Sequence, residues 1–380
     1  MERPFSVAFC AGDPSGDQHA AGILKELHNI HPNLRCWGIG GPEMQKEGFQ
    51  PILPFAQFNR MGFAEVITHL PFFLKAKKTF VKQLSRTPPE VLVCVDYPGF
   101  NMELLKEAHK LKIPVVWYIA PMVWAWKKKR AQTLGNLASH IAVIFPFEVQ
   151  YFDKFRAPVS FVGNPLSESI IKEEKSNQKR RSLPQQGSPI RLAVVPGSRK
   201  QEIDKMLPPM LSAAKILKKE YPNLQITVSK YQGFNNSYFK RRIDLDCINI
   251  FPGSLRNLLE SSDIAMVTSG TASLETALMG VPHVIAYRTS TINYEIMKRL
   301  VKIPHIGLPN VIAREKIVPE LIQRDVNPQR LASEIKSILN YEEKYNTMAQ
   351  KLYELRTLLG ERNSSLSLAQ IIFSFYKTES

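Results

Sequence analysis

The sequence predicts an α/β protein with two parallel sheets. Short, continuously apolar runs alternate along the chain with segments of helical periodicity, which is typical of parallel strands covered on both faces by helices. The chain has 380 residues, and single cores rarely grow far beyond about 250 residues. We therefore expect two domains, each with its own sheet and core.

Eight apolar runs are the candidate strands. They lie at residues 5–11, 90–96, 113–120, 140–145, 191–197, 224–229, 263–268 and 282–287. Helical periodicity is clearest at 100–111 and 203–219, and after about residue 325 only helical segments remain. The alternation of strand and helix favours a doubly wound arrangement in both halves.

A polar, charged stretch at residues 170–189 is rich in turn formers, which predicts a linker. It separates an N-terminal domain, 1–169, from a second domain, 190–345. We interpret residues 346–380 as C-terminal helices. The last of them, 365–377, has an apolar surface that needs a partner, so we expect it to pack on the N-terminal domain or on a second subunit of a homodimer.

The composition is that of a globular protein with a strong positive charge. Fifty Lys and Arg against 34 Asp and Glu give a formal charge of +16, which favours nucleic acid, anionic lipid headgroups or phosphorylated substrates. The cysteines have no metal-ligand spacing, which indicates reduced thiols in a cytosolic protein without a metal site; they are Cys10, Cys36, Cys94 and Cys247. No run reaches the roughly 20 apolar residues of a membrane span.

Ligands of parallel sheets bind beyond the carboxyl ends of the strands, so the loops there are the candidate site. The first loop, AGDPSGDQHAAGIL at 11–24, opens a helix with Asp13, Ser15, Gly16 and Asp17. It has neither GxGxxG nor the lysine of a phosphate-binding P-loop. A substrate-binding turn and a simply capped helix both remain open.

The second loop, VDYPGFN at 95–101, places Asp96 at the end of an apolar strand before Pro98 and Gly99. A carboxyl group in such a poorly solvated position acquires a raised pKa, which suits a general base. The alternative is that Asp96 caps the following helix.

Two loops in the second half are suited to a diphosphate. The first is VVPGSRKQEI at 194–203, in which Gly197, Ser198 and Arg199 offer backbone donors and a guanidinium. A surface ion pair is the alternative for Arg199.

The other loop, SGTASLE, presents hydroxyl and N–H groups from Ser269, Gly270, Thr271 and Ala272 at a helix start. Glu275 lies about one turn further on, where it could accept hydrogen bonds from ribose hydroxyls beside the diphosphate. The alternative is a capping box, in which Glu275 reaches back to the start of its own helix.

A basic and apolar stretch at 59–83 is typical of the interface of an anionic bilayer. The residues expected to face the membrane are Phe72, Phe73, Leu74, Lys75, Lys77 and Lys78. Core packing with a solvated basic face is the alternative. Trp124 and Trp126 also adjoin lysines, a pattern that nucleic-acid-binding proteins share.

Eight motifs in order resemble those of the lipid-A-disaccharide synthases. They are GDPSGD, DYPGFN, VWAWKKKR, FVGNP, VPGSR, SGTASLE, YR at 287–288 and LPN at 308–310. Two departures are clear, because the family usually has GEASGD where this chain has Asp13 and Pro14, and a Ser-Pro-Ser or Ser-Pro-Gln sequence where it has Ala120, Pro121 and Met122.

The resemblance implies the GT-B fold, in which two Rossmann-like domains face a cleft, and inverting transfer from UDP-2,3-diacylglucosamine to 2,3-diacylglucosamine 1-phosphate. It also implies a peripheral location on the cytoplasmic face of the inner membrane. Asp96 is then the base, while the loop at 13–17, Asn101 and Trp124 contact the acceptor. The diphosphate loops, Glu275, Arg288 and Asn310 are expected to bind UDP.

The sequence has no cluster of His and carboxylate residues, so we expect no metal and no cofactor, and the loops at the strand ends favour a nucleotide sugar over nucleic acid. The alternatives are another GT-B enzyme that uses a UDP-sugar, such as a lipid-carrier transferase or a UDP-GlcNAc epimerase, and a basic nucleic-acid-binding protein.

Overall fold

The chain folds into two compact units, described by a computed structural model for residues 4–59, 70–124, 128–173, 181–231, 233–234, 238–239, 248–300 and 303–376. The first unit contains Met1–Glu168 and Glu361–Ser380, and the second contains Ser169–Gly360. Each is a parallel sheet with helices packed on it, which confirms the predicted α/β fold of two Rossmann-like units.

The sheet of the first unit has seven strands in the order β3-β2-β1-β4-β5-β6-β7, all parallel. They are β1 (Phe5–Ala11), β2 (Leu34–Ile39), β3 (Gln50–Pro51), β4 (Val91–Val95), β5 (Val115–Tyr118), β6 (His140–Val143) and β7 (Val159–Phe161). The central strands β1, β4, β5 and β6 are apolar and buried over most of their length because helices cover both faces.

Seven described helices begin in this part of the chain, and the last of them continues past Glu168 into the second unit. They are α1 (Pro14–Ile30), α2 (Pro42–Lys46), α3 (Phe55–Asn59), α4 (Leu70–Arg86), α5 (Pro98–Lys110), α6 (Lys128–Leu137) and α7 (Pro165–Glu173). A 3₁₀ helix at Pro146–Tyr151 follows β6. The loops that leave β4, β5 and β6 therefore lie side by side at the carboxyl edge of the sheet, in strand order.

The sheet of the second unit has six parallel strands in the order β10-β9-β8-β11-β12-β13. They are β8 (Ile190–Val195), β9 (Leu224–Ser229), β10 (Ile248–Phe251), β11 (Ile264–Thr268), β12 (His283–Tyr287) and β13 (Glu320–Ile322). Its described helices are α8 (Lys200–Glu220), α9 (Leu255–Glu260), α10 (Thr271–Leu278), α11 (Thr291–Leu300), α12 (Leu308–Ala313), α13 (Pro328–Leu339) and α14 (Glu342–Leu359).

The C-terminal segment differs from the prediction for residues 346–380. Helix α14 belongs to the second unit, where Tyr345 donates from its hydroxyl to the Asp263 carbonyl at 2.7 Å and Arg356 donates to the Leu278 carbonyl. Only α15 (Ser364–Phe373) returns to the first unit, after a turn at Gly360 whose φ of 68° favours glycine.

Helix α15 packs against α1 of the same chain. Its side chains Leu368, Ala369 and Ile372 are fully buried there, and burying one large aliphatic side chain stabilises a fold by about 1.5–3 kcal/mol. The apolar surface found in the sequence is thus covered within one chain, and helix exchange between subunits is not needed to bury it.

The predicted linker at 170–189 is only partly irregular. Helix α7 extends to Glu173, residues 174–180 lie outside the described part of the chain, and Arg181 is anchored to the second unit through the Ser262 and Leu259 carbonyls at 2.5 and 2.8 Å. Cys10, Cys36 and Cys94 are buried free thiols, while Cys247 lies outside the described residues.

Candidate active site

Asp96 lies directly after β4, in a turn with an unusual backbone. Asp96 and Tyr97 have φ angles of 42° and 48°, and two consecutive residues other than glycine in the left-handed region cost about 1–3 kcal/mol each. Tyr97 is the N-cap of α5 and makes no side-chain cap bond. The alternative in which Asp96 caps this helix is therefore wrong.

Burial raises the pKa of the Asp96 carboxyl to about 6, and the nearby charge of Asp13 contributes in the same direction. The Tyr97 backbone N–H opposes the shift because it donates to the carboxylate. The pKa increase that the sequence predicted is present. At neutral pH the group is ionised yet basic enough to accept a proton from a hydroxyl.

Asn101 is bonded to the backbone of this turn and is not exposed to an acceptor substrate. Its side chain is fully buried, and its Nδ2 donates to the carbonyls of Asp96, Cys10 and Val95 at 2.8, 3.2 and 3.3 Å. The prediction that Asn101 contacts the acceptor is therefore corrected. Asn101 instead ties the ends of β1 and β4 to the backbone of Asp96.

The loop at 11–24 is a capped helix start, as its alternative interpretation held. Asp13 is the N-cap of α1, and its Oδ1 accepts from the Gly16 N–H at 2.7 Å. Asp17 is 2% exposed and accepts from the N–H groups of Gly41 and Glu43 at 2.7 and 3.0 Å. The predicted contacts of Gly16 and Asp17 with substrate are corrected, because the Gly16 N–H and the Asp17 carboxylate already form hydrogen bonds within the fold.

Other parts of the first loop do reach the candidate site. Ser15 is exposed, and its Oγ lies 3.2 Å from Nε2 of His19. Burial lowers the pKa of His19, although Asp13 and Glu168 favour its charged form. The Tyr97 ring leaves no space for a side chain at Gly12, since an added Cβ there would lie 2.6 Å from the ring. The loops after β1 and β4 are thus in contact.

Trp124 lies in the loop after β5 and is held there by Glu148, a residue that the sequence motifs did not indicate. Its Nε1 donates to Oε1 of Glu148 at 3.3 Å, and its ring meets Phe147 edge to face at 5.5 Å. Trp124 as a whole is half-buried. An isolated acidic residue within the aromatic sequence FPFEVQ was the available signal for Glu148.

In the second unit, Gly197, Ser198 and Arg199 lie between β8 and α8. The N–H groups that were expected to bind the diphosphate already bind Glu202, whose Oε2 accepts from Ser198 and Arg199, both at 3.2 Å. Arg199 pairs with Glu202 at 3.1 Å but has 83% of its side chain exposed. The predicted backbone site is thus occupied by the Glu202 carboxylate, whereas the guanidinium is accessible.

The loop after β11 is more open. Gly270 has a φ of 150°, and a Cβ added there would meet nothing within 4 Å. Helix α10 begins at Thr271, and the first N–H groups of a helix have no acceptor within it. The Ser269 hydroxyl donates to the Ile306 carbonyl at 3.3 Å.

Glu275 is the fifth residue of α10 and is half-buried. A capping box requires the acidic residue at the third position, where this helix has Ser273, whose Oγ donates to the Gly270 carbonyl at 2.7 Å. The capping-box alternative for Glu275 is therefore wrong. Its predicted contact with ribose stays a prediction.

Two residues predicted to bind UDP make structural contacts, which rule out a ligand contact for Asn310 and leave that of Arg288 a prediction. Asn310 is fully buried and donates to Glu320 at 2.7 Å, while its Oδ1 accepts from the N–H groups of Ile317 and Val318 at 2.8 and 2.9 Å. Asn310 therefore does not face a ligand. Arg288 donates to the Gln323 carbonyl at 3.3 Å and to a second backbone carbonyl nearby, so part of its guanidinium is committed to the fold.

Asn310 still supports the diphosphate loop indirectly. Its partner Glu320 accepts from the N–H groups of Ile306 and Gly307 at 2.9 and 3.0 Å. The Ile306 carbonyl in turn accepts the Ser269 hydroxyl. This chain of bonds explains why an asparagine is useful at position 310 without contact to the nucleotide.

The six residues predicted to face a membrane lie on two different faces of helix α4. Phe72 and Phe73 pack against the core around Phe58. Lys77 pairs with two glutamates of α5 at 3.1 Å, and these interactions raise its pKa. For these three residues the prediction is corrected, because the helix turns them towards its own unit.

The remaining face of α4 is exposed. Leu74 is 59% exposed, Leu70 one turn earlier is 53% exposed, and Lys75 and Lys78 lie beside them. Within the described ranges no helix has the length and apolarity to cross a membrane. In that same part of the chain, no three His, Cys, Asp or Glu side chains form a group that could hold a metal ion.

Comparison with known proteins decides the family. The family model described as lipid-A-disaccharide synthetase matches residues 7–373. The chain belongs to this family. A lipid-A-disaccharide synthase of Nitrosococcus oceani is 36% identical over 359 residues, which cover 93% of this chain and 92% of the relative. Membership assigns the chain to the glycosyltransferases of lipid A disaccharide synthesis.

Solved structures share the fold of this chain at low sequence identity. The kitacinnamycin glycotransferase matches with a TM-score of 0.65 at 14% identity, covering 98% of this chain and all of its own. A UDP-GlcNAc 2-epimerase of Neisseria meningitidis bound to UDP-GlcNAc matches with a TM-score of 0.60 at 13% identity, covering 97% and 99%. The fold thus serves transferases and epimerases alike, and the sequence family distinguishes them.

Proposed function

We propose that the chain condenses UDP-2,3-diacylglucosamine with 2,3-diacylglucosamine 1-phosphate to form the β-1,6-linked disaccharide 1-phosphate and UDP. Family membership supplies the reaction class. The observation that carries the mechanism is the Asp96 carboxyl at the end of β4, whose burial raises its pKa to about 6. An inverting transfer needs one base on the acceptor side, and Asp96 has the required basicity and partial exposure.

Asp96 removes the proton from the acceptor 6-hydroxyl as that oxygen attacks the anomeric carbon of the donor sugar. The new C1–O6 bond forms while the bond from C1 to the diphosphate oxygen breaks, and its electron pair leaves with UDP. The strained turn and the Asn101 bonds keep the carboxylate in a fixed position. A fixed base avoids the reorganisation that a mobile carboxylate would need during the reaction.

The second unit supplies the donor side. The exposed Arg199 guanidinium and the N-terminus of α10 stabilise the negative charge that develops on the diphosphate. Glu275, half-buried on the same helix, accepts hydrogen bonds from the ribose hydroxyls. Glu202 releases the Ser198 and Arg199 N–H groups when a diphosphate competes for them.

The exposed face of α4 gives the acylated substrates a place to enter from a lipid surface. Leu70 and Leu74 insert among the acyl chains, and Lys75 and Lys78 interact with anionic headgroups. We therefore place the enzyme peripherally on the cytoplasmic face of the inner membrane. Its partners are the UDP-sugar and the acylated glucosamine phosphate.

The test is UDP release by purified protein in detergent with both substrates. We expect release only when the acylated acceptor is present, together with a disaccharide product. Asp96→Asn is expected to abolish turnover and retain UDP binding. This variant should also be more stable than the wild type at pH 7, because a carboxyl with a raised pKa is ionised there at a cost in stability that an amide does not carry. Acceptor-independent release of UDP would refute the proposed reaction.

A further inference from the structure

Glu148 has a buried carboxyl group that the mechanism above does not use. It lies in the 3₁₀ helix after β6 and is 2% exposed. Its Oε2 accepts from the Phe145 N–H at 3.1 Å, and its Oε1 accepts from Nε1 of Trp124 at 3.3 Å. One side chain therefore joins the loop after β6 to the loop after β5.

Glu148 is more deeply buried than a carboxyl group needs to be in order to cap a helix. Glu202 caps α8 with the same kind of bond while 25% of its side chain remains exposed. Burial instead raises the pKa of Glu148 to about 8, and the Asp96 charge contributes to that increase. Since burying a carboxyl group is unfavourable, the bond to the indole is the feature that distinguishes this site from an ordinary cap.

The indole held by Glu148 is next to the candidate base in strand order. Strand β5 lies between β4 and β6, with Tyr118 paired to Val95 on one side and to Ala142 on the other. The loops carrying Asp96, Trp124 and Glu148 are consequently adjacent. The ring of Trp124 is fixed by its bond to Glu148 and by its edge contact with Phe147, and the residue as a whole is half-buried.

We propose that Glu148 is a positioning residue that fixes the indole of Trp124 as a wall of the acceptor site beside Asp96. The apolar face of a sugar ring packs against such a ring, and the packing directs a hydroxyl of the acceptor towards the carboxylate. This role rests on the proposed function, in which the first unit binds the acceptor. Glu148 itself touches neither substrate.

The experiment is a double-mutant cycle of Glu148→Gln and Trp124→Phe. Gln keeps the size of the side chain, but its single carbonyl oxygen cannot serve both donors. We expect each single variant to raise the KM for the acceptor about tenfold, a loss of about 1.4 kcal/mol, with the KM for the UDP-sugar unchanged. The double variant should be no worse than the poorer single variant, because both changes remove one contact.

Glu90→Gln is the matched control. Glu90 accepts the Ser6 N–H at 2.8 Å in the same unit, and it precedes β4, so it lies at the opposite end of the sheet from Asp96. This control should leave the acceptor KM unchanged. Without substrates, Glu148→Gln should also shift the wavelength of the Trp124 fluorescence. The Trp124 emission is isolated by subtracting the spectrum of Trp124→Phe from that of the wild type, and the spectrum of the double variant from that of Glu148→Gln.

The outcomes separate the positioning role of Glu148 from the proposed function. If the increases in acceptor KM of the two single variants multiply in the double variant, or if Glu148→Gln leaves the Trp124 emission unchanged, the positioning role is overturned and the proposed function stands. If wild-type protein forms no disaccharide, the proposed function fails and the positioning role fails with it. Non-additive losses confined to the acceptor KM support the role.

Discussion

Replacing Asn101 by Ala tests whether the strained turn at Asp96 is maintained by one buried amide. The Asn101 Nδ2 carries two hydrogens, directed at three carbonyl oxygens between 2.8 and 3.3 Å away. Losing two buried hydrogen bonds costs about 2–4 kcal/mol at roughly 1–2 kcal/mol each. For a unit of this size that corresponds to a fall in Tm of roughly 5–15 °C, so the variant should still fold at room temperature.

The effect on turnover should exceed the effect on stability. Without the bond to the Asp96 carbonyl, the backbone of the left-handed turn is held less firmly in its position. A shift of that backbone moves the carboxylate, and a displacement of about 1 Å costs roughly 100-fold in rate. We therefore expect kcat to fall about 100-fold while the affinity for UDP is unchanged.

Asn164→Ala provides the comparison. Asn164 is a similarly buried amide of the first unit, whose Oδ1 accepts from the Leu166 and Ser167 N–H groups at 3.1 and 3.2 Å. Its replacement should lower Tm by a similar amount and kcat by less than about threefold. Measured by thermal unfolding and by UDP release at 20 °C, equal losses of kcat in the two variants would refute the reasoning about the turn.

Three further predictions concern the donor site and the membrane. Glu275→Gln should weaken UDP binding by roughly tenfold in calorimetric titration, and normal binding with a lower Tm would give the residue a purely structural role. Glu202→Ala should lower the free energy of unfolding by about 0.5–2 kcal/mol through loss of a cap but tighten UDP binding, because two N–H donors are released; weaker binding would contradict this. Leu70→Asp with Leu74→Asp should reduce sedimentation with anionic vesicles by at least tenfold, whereas Leu358→Asp, at a similarly exposed position in the second unit, should not.

The fold was largely predictable because its central strands are continuous apolar runs. Phe5–Ala11 and Leu224–Ser229 have the predicted bounds, and each has a neighbouring strand on both sides. The strands that escaped prediction include Gln50–Pro51 and Glu320–Ile322, which lie at sheet edges. Two or three residues cannot show a periodicity, and an edge strand needs less apolar surface.

The candidate site was predictable in its location but less so in its contacts. Asp96 was singled out because an apolar strand that ends before Pro98 and Gly99 predicts a poorly solvated carboxyl group, and burial does raise its pKa. Asn101 and Asn310 were assigned to ligands, yet both satisfy buried carbonyl and N–H groups. A motif records that an amide is needed, and only the three-dimensional structure shows which groups it binds. Glu148 was missed for the same reason, since its partner Trp124 is 24 residues away.

The central claim is that Asp96 is the base of the transfer, and the pH dependence of kcat/KM for the acceptor tests it most directly. A base whose pKa is raised to about 6 is active only when ionised, so kcat/KM should fall tenfold for each pH unit below about 6. Because the acceptor phosphate also titrates near pH 6, the profile is measured again with a phosphonate acceptor of higher pKa.

With Asp96 as the base, the acidic limb stays near pH 6 for both acceptors, and Asp96→Asn lowers kcat by about 10²–10⁴-fold at unchanged UDP affinity. A limb that moves with the pKa of the acceptor, together with an active Asp96→Asn variant, would contradict the account.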